Sequence, residues 1–451
     1  MDKYTIALAL LVLIITSLIA GSVLNYRKLK SFRGPPLASF SEVWLFWQAA
    51  TGNLPAAECE AIEKYGTGAS LRWRSLRRGS PVRIGPNLLI HNDPDVLRHL
   101  LAPGSGWRRS EWYEGMKLDP RVDTVFSTRD ERLHTEMKAK EAGGYNGRDF
   151  TTMESEVDAR IVDLVGLIRD KYTGTIIDLA DVMRFFTLDV LNLWDYGKTN
   201  AEFMPIFQLQ ANHGWMRRIL SSPVMQALAA PKVTDATGIG PALGFARQAV
   251  TERYGPEAKT KQDMLGHFVG KGLTQTQCEA EANLQIIAGS DSTTTVLRCT
   301  LFLLIANPTA YGKLRADIDS CGLDGSASIT HSTAQSLPYL SACIWEGLRM
   351  YPPLFGLLTK LAPPGGDTVN GVYIPGGTGL AVCYASMCRR KDIFGQDSQL
   401  YRPERWIEAA PKQKRLYHNT VDAVFGTGRF QCLGKHIAMV ELHKTIAERI
   451  R

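Results

Sequence analysis

Residues 276–306 carry one continuous helical pattern, opened by Thr276-Gln277-Cys278-Glu279 as a capping box and stopped by Pro308. At 1.5 Å per residue such a helix spans roughly 45 Å, the width of a whole domain, so the rest of the body has to pack around it. Its middle is poor helix material. Ala288-Gly289-Ser290-Asp291-Ser292-Thr293 sets a glycine, an acid and several hydroxyls there. The glycine alone costs about 1 kcal/mol against alanine, and short polar side chains compete for backbone hydrogen bonds. Two readings stand. One is a polar patch on a core helix; the other is a kinked or bulged turn whose acid and alcohol hold water and deliver protons.

The second informative stretch is Phe425-Gly426-Thr427-Gly428-Arg429-Phe430-Gln431-Cys432-Leu433-Gly434, placed directly before a helix-like run from Lys435. Its glycines let the backbone take positive φ and approach a flat ligand closely. A cysteine at a helix N-terminus is expected to have its thiolate favoured by the exposed N–H groups, which suits a metal ligand. For a lone cysteine the ordinary alternative is a structural thiol in a glycine turn.

A chain of 451 residues with a hydrophobic content of 45% can bury a large core. The net charge of +7 is not gathered into a basic run with interleaved aromatics, which argues against a nucleic-acid partner. The eight cysteines are scattered without CxxC spacing, a pattern of free thiols in a reducing compartment. Residues 5–24 are free of charge, and as a helix they would reach about 30 Å, the thickness of a bilayer core. Arg27, Lys28, Lys30 and Arg33 follow at once, so the positive-inside rule puts the remainder of the chain on the cytoplasmic side. A cleaved signal peptide is the competing reading, disfavoured by the length of the run and its nearly uncharged start. Arg33-Gly34-Pro35-Pro36 reads as a stiff hinge to the body.

The body is expected to be mainly helical with a small β portion. Residues 82–90 read as a hairpin broken at Gly85-Pro86-Asn87, and residues 154–172 and 178–196 as helices. Residues 204–259 are less regular and suit mobile lid helices. A helix over 337–349 ends at Tyr351-Pro352-Pro353, Asn370-Gly371 marks a hairpin, and residues 380–384 form a further strand.

In isolation Glu346-Gly347-Leu348-Arg349 is a weak signal, an opposite-charge pair worth a few tenths of a kcal/mol. Pro403-Glu404-Arg405-Trp406 is equally ordinary. Their order is not. The long helix with A-G-x-D-S-T, then E-x-x-R, then P-E-R-W, then the cysteine loop closely resembles the cytochrome P450 superfamily over nearly the whole chain. Residues 425–438 and the Asn-Gly hairpin look most like fungal secondary-metabolism members such as pisatin demethylase.

The resemblance implies a cytochrome P450 fold in residues 31–451, behind a membrane anchor in residues 1–30. It implies haem b as cofactor, with Cys432 as the axial ligand of the iron, Phe425 beside it, and Gly428 and Gly434 as turn glycines. Glu346, Arg349 and Arg405 match a structural charge network locking the cysteine loop. Asp291, Ser292 and Thr293 match the proton-delivering segment. His134, Lys138 and, more weakly, Lys360 fall where haem-propionate contacts are often found. Arg429 is one position away from the usual basic residue, whose place Phe430 takes. Leu354, Phe355, Trp112 and Tyr113 are candidate pocket residues. Serine replaces the usual threonine at position 292, and without the methyl that stiffens χ1 the hydroxyl is held more loosely. The sequence ends at Arg451 inside the helix after the cysteine, where family members continue, and a C-terminal truncation is expected.

The activity implied is O2-dependent monooxygenation of a lipophilic small molecule, with electrons from NADPH through a partner reductase. The enzyme would sit in the endoplasmic reticulum membrane by a single pass. Two alternatives are a reductase-independent haem-thiolate isomerase or dehydratase, and a truncated, non-catalytic membrane protein.

Overall fold

In a computed structural model the chain is described over residues 3–66, 81–145, 153–179, 182, 183, 186, 206–229, 231–235, 240–256, 258, 261–322, 328–354 and 356–450. Six helices position the site: α1 Lys3–Lys28, α2 Leu54–Tyr65, α3 Glu131–Glu141, α4 Gln275–Ile305, α5 Pro338–Met350 and α6 Lys435–Ile450. The expected helix over 154–172 is present as Met153–Tyr172. That over 178–196 lies mostly outside the described residues, as does Phe355. Helices Gly214–Leu220, Pro223–Ala229 and Gly240–Thr251 occupy the region expected to carry lid helices.

Helix α4 runs unbroken for 31 residues, but its cap differs from the sequence expectation. The N-cap is Thr274, not Thr276: Thr274 Oγ1 accepts from Gln277 N at 3.3 Å, and Gln277 Oε1 accepts from Thr274 N at 2.9 Å. Packing chooses between the two boxes. With Thr274 as cap, Leu273 before it and Cys278 one turn on enter the same apolar cluster, a hydrophobic staple. The α-helical pattern continues through Asp291, without the bulged turn that was one of the two readings. Ser290 and Ser292 instead donate their hydroxyls to the carbonyls of Ile286 and Ala288, at 2.6 and 2.7 Å. Those bonds satisfy the competing polar groups within the helix.

Apolar faces of α4 (Leu297, Leu301, Leu304), α5 (Leu340, Ile344, Leu348) and α6 (Leu442, Ile446) meet in the main core. Their i, i+4 spacing is what lets three helices share one interior. A second core joins α2 to the sheet through Ile62, Val82, Ile84, Ile90, Trp112 and Tyr113.

Among the described residues, seven strands form two sheets: β1 Val82–Gly85, β2 Leu88–His91, β3 Arg108–Arg109, β4 Lys360–Leu361, β5 Asp367–Val369, β6 Val372–Ile374 and β7 Gly379–Val382. The larger has the order β1-β2-β7-β4-β3, parallel only between β2 and β7. The first expected hairpin appears as β1–β2, with a register shift between Arg83 and Gly85. The second is β5–β6, where Asn370 and Gly371 have φ of 49° and 78°, the double positive-φ turn that an Asn-Gly pair tolerates.

The C-terminal end of α1 docks on this framework. Lys28 Nζ donates to Asn87 Oδ1 at 2.8 Å, the buried Arg83 donates to Asn25 O at 3.2 Å, and Tyr26 stacks on Phe40. Among the described residues no helix is long and apolar enough to cross a membrane. Most side chains in the first two-thirds of α1, where the membrane span is expected, lie outside the described residues.

Candidate active site

The cysteine loop is closed by one short backbone bond. Cys432 N donates to Phe425 O at 2.6 Å, and the chain between them turns through Gly426 and Gly428 at φ of 74° and 56°. A β-carbon on Gly426 would lie 2.4 Å from Phe430 O, so this position is closed to any side chain. Gly428 has open space around it and needs glycine only for its φ. Phe425 packs against the main core, and Lys435 Nζ lies 5.6 Å from its ring. Gly434 leaves Cys432 Sγ uncrowded, with 3.9 Å to a hypothetical β-carbon.

Cys432 is exposed, although α6, which begins three residues later, is sunk in the core. The expectation of a favoured thiolate is overturned. Desolvation raises the thiol pKa, against the opposing pull of Gly434 N–H, Lys138, and Lys435 through its backbone N–H and charge. Two helix-terminal N–H groups are weaker than the loss of water here. A bound cation reverses that balance, since a coordinating thiol is deprotonated outright.

Helix α4 packs against α6 and carries the polar turn in its middle. Ala288 is exposed in mid-helix between the buried Ile286 and Ser290, a gap in the packing of an otherwise core helix. Ser292, one turn on, shares that open face, whereas Thr293 is buried. Asp291 is half-buried beside them.

A cluster of cations lies above the cysteine loop. Lys360 on β4 is 2% exposed, with its Nζ 3.5 Å from the centre of the Phe430 ring. Arg109 on β3 lies 5.0 Å from the same ring and spends one nitrogen on the carbonyls of Val125, Phe126 and Thr128. Arg429 pairs with Glu131, and His134 packs its ring 5.0 Å from Phe430. Lys360 Nζ, Arg109 Nε, Arg429 Nε and His134 Nδ1 are all buried with no acceptor among the described residues. Burial, with Arg109 and Arg429 nearby, drives the Lys360 amine down to about 6. The same causes, with Lys138 and Lys360 added, hold His134 near 3. Buried N–H groups without an acceptor are rare, because each gives up hydration without compensation. Carboxylate arms on a bound group would supply the missing acceptors, so these residues fit haem propionates, just as the exposed thiol below fits its iron. Lys138 is used differently: its ammonium donates to the carbonyl of Arg429 at 2.7 Å and to that of Gln431, tying α3 to the loop.

The charge network behind the loop is far stronger than the E-x-x-R spacing implied. Glu346, Arg349 and Arg405 have fully buried side chains. Glu346 Oε1 accepts from Arg349 Nη2 at 2.8 Å, Arg405 Nε at 3.0 Å and Arg402 N at 2.9 Å. Its Oε2 accepts from Arg349 Nε at 2.8 Å and Trp406 Nε1 at 2.9 Å. The remaining guanidinium donors reach the carbonyls of Cys388, Phe394, Asp397, Ser398 and Leu400. The network therefore clamps residues 388–405 to α5, and its own hydrogen bonds stop short of the cysteine loop.

Arg109 was not anticipated from sequence, where Arg108-Arg109 is an ordinary basic pair; only strand pairing to Lys360 brings it to the cluster. Trp112 and Tyr113 lie in the second core, Trp112 Nε1 donating to Asn212 Oδ1 at 3.0 Å and Tyr113 OH to Leu358 O at 3.3 Å. Leu354 is half-buried against the main core.

Comparison with known proteins agrees with this geometry. The cytochrome P450 family model matches residues 242–451. Cytochrome P450 monooxygenase ABA1 of Pyricularia oryzae is 38% identical over 95% of this chain and 87% of its own length. Cytochrome P450 monooxygenase aba1 of Botryotinia fuckeliana is 34% identical, over 92% and 84% respectively. Cytochrome P450 monooxygenase cicH of Emericella nidulans is 27% identical over 97% and 91%.

Proposed function

Because this chain belongs to the cytochrome P450 family and is a cytochrome P450 monooxygenase, we propose that Cys432 is its iron ligand and that it oxidises a lipophilic small molecule in fungal secondary metabolism. The observation that carries the site assignment is the set of buried donors without acceptors beside an exposed loop cysteine. Haem b, when bound, supplies activation of O2 at an iron made electron-rich by its thiolate.

This chain's own residues do the rest. Lys360, Arg109 and His134 hold the carboxylate arms, and Arg429 shares its charge between them and Glu131. Lys138 fixes the loop through two carbonyls, so it orients Cys432 without touching the arms. Phe425 and the Cys432 N–H bond to its carbonyl keep the loop that carries the thiol in one conformation. Ser292 donates its hydroxyl to Ala288 O, which leaves its oxygen free to accept a hydrogen bond from a water. Asp291 beside it is the group that takes protons from solvent, and Thr293 is the buried hydroxyl that packs the turn. Glu346, Arg349 and Arg405 keep the segment before the loop in place.

Residues 1–30 act as a single-pass anchor in the endoplasmic reticulum membrane with the catalytic domain on the cytoplasmic side. The charge-free run 5–24 and the basic residues after it support this reading. Electrons come from NADPH through a partner reductase, a reading that membership of the family supports. The test is the CO difference spectrum of the reduced protein. The thiolate-type Soret band is expected and should vanish in Cys432→Ala, and turnover of an apolar substrate should require both NADPH and reductase. A thiolate band that survives Cys432→Ala refutes the ligand assignment, and turnover without reductase favours an isomerase.

A further inference from the structure

Outside the haem-binding loop, helix α2 and the end of β7 bring two thiols together. Cys59 Sγ and Cys383 Sγ are 3.6 Å apart across 324 residues of sequence. Cys383 is buried at the start of the short helix Tyr384–Met387, its amide donating to His91 O at 2.8 Å. Cys59 is half-buried on α2 and so open to a small reagent. Beside them Glu58 is 7% exposed, with Oε1 lacking a partner. The two sulfurs differ chemically. The hydrogen bond from Cys383, aided by the Arg389 charge, lowers the Cys59 thiol against the opposing burial. The same hydrogen bond, together with burial and the Glu58 charge, raises the Cys383 thiol. One is poised as thiolate and the other as proton-bearing partner, the asymmetry that thiol chemistry uses.

We propose that Cys59 and Cys383 form a redox-active dithiol, oxidised by a hydroperoxide to a disulfide that locks α2 to the end of β7. The Cys59 thiolate attacks the terminal oxygen of the hydroperoxide; the O–O bond breaks, the sulfur takes that oxygen with its proton as a sulfenic acid, and the departing oxygen takes up the proton the Cys59 thiol had released and leaves as an alcohol, or as water when the oxidant is hydrogen peroxide. Cys383 sulfur then displaces that hydroxyl, which takes the Cys383 proton and leaves as water. Two thiols lose two electrons in all, and the O–O bond accepts them. The sulfurs have to close from 3.6 Å to about 2.05 Å, a rotation within reach of the two side chains. The bridge closes a very long loop, the case in which a cross-link constrains the unfolded chain most.

The experiment treats the intact holoenzyme with hydrogen peroxide and maps alkylated cysteines by mass spectrometry, a readout independent of the haem. The expected result is loss of two alkylatable thiols per chain and one new cross-linked peptide pairing residues 59 and 383. Cys383→Ser should leave a Cys59 sulfenic acid that dimedone traps, and Cys59→Ser should leave Cys383 unoxidised at the same dose. The proposal is overturned if both thiols alkylate in full after oxidation, or if dimedone labels neither variant.

Discussion

Glu346→Gln isolates the charge network behind the haem loop, because it keeps the shape and removes one charge. The carboxylate accepts five hydrogen bonds, three at Oε1 and two at Oε2. A glutamine must turn its NH2 toward one of these sets, and the less costly choice faces Arg349 Nε and Trp406 Nε1, so two donors lose their acceptor. Arg349 and Arg405 are meanwhile left fully buried with only Asp397, itself a third exposed, as a remaining counter-charge. Breaking a buried pair from one side costs about 3–5 kcal/mol, a large part of the roughly 5–15 kcal/mol that holds a protein folded. With about 2.1 cal/mol/K of unfolding entropy per residue, a chain of 451 residues has about 1 kcal/mol/K, so the melting temperature should fall by about 3–5 °C. The assay is differential scanning calorimetry of wild type and variant, with urea unfolding as a second probe and haem content measured on both. Haem retention should fall with stability while the spectrum of the haem that remains stays thiolate-type. A shift below about 1 °C refutes the account, since it would mean that neither guanidinium depends on Glu346.

Gly426→Ala should cost several-fold more stability than Gly428→Ala and lower the thiolate Soret band with it. Its β-carbon meets Phe430 O at 2.4 Å, while Gly428 faces open space and adds only the roughly 1–2 kcal/mol of a positive φ; equal losses in urea unfolding would refute this. Lys360→Met should stabilise the haem-free protein by removing a buried unpaired amine. It should also speed haem transfer to a scavenger apoprotein about tenfold, the equivalent of 1.4 kcal/mol, and slower transfer would contradict the propionate contact. Glu141 and Glu281 are both fully buried and raised far above the carboxylate range, mainly by desolvation and, for Glu141, by its neighbour. Their protonated form belongs to the folded state, so the stability they allow is complete below the ordinary carboxylate pKa and drains as pH rises through the raised values. Glu281→Gln, which can still accept from Val125 N, should flatten the fall of unfolding free energy with pH between about pH 5 and 8 by up to about 1.4 kcal/mol per pH unit, read from urea unfolding at each pH. Parallel curves would refute it.

The sequence carried the elements whose signals are local. The Asn370-Gly371 hairpin, the helix ending before Tyr351 and the glycine positions of the cysteine loop each follow from the φ a residue tolerates or the hydrogen bond it lacks. The motif order pointed to the family because it samples four separated segments at once. The cap of α4 was misplaced by two residues because two threonines offered the same box, and only the packing of Leu273 with Cys278 distinguishes them.

Electrostatics was another matter. The pair Glu346 and Arg349 reads as a few tenths of a kcal/mol on a solvated helix, yet in the fold it is a fully buried hub, since burial is decided by what covers the helix. The thiol of Cys432 was expected to ionise from its place before a helix, and the surrounding protein reversed the sign. Arg109 meets Lys360 across β3 and β4, and Cys59 meets Cys383 across 324 residues. Local sequence set the residue types, turns and helices of this protein. Which charges lose their water, and which thiols meet, depends on contacts between distant segments, and those exist only once the chain has packed.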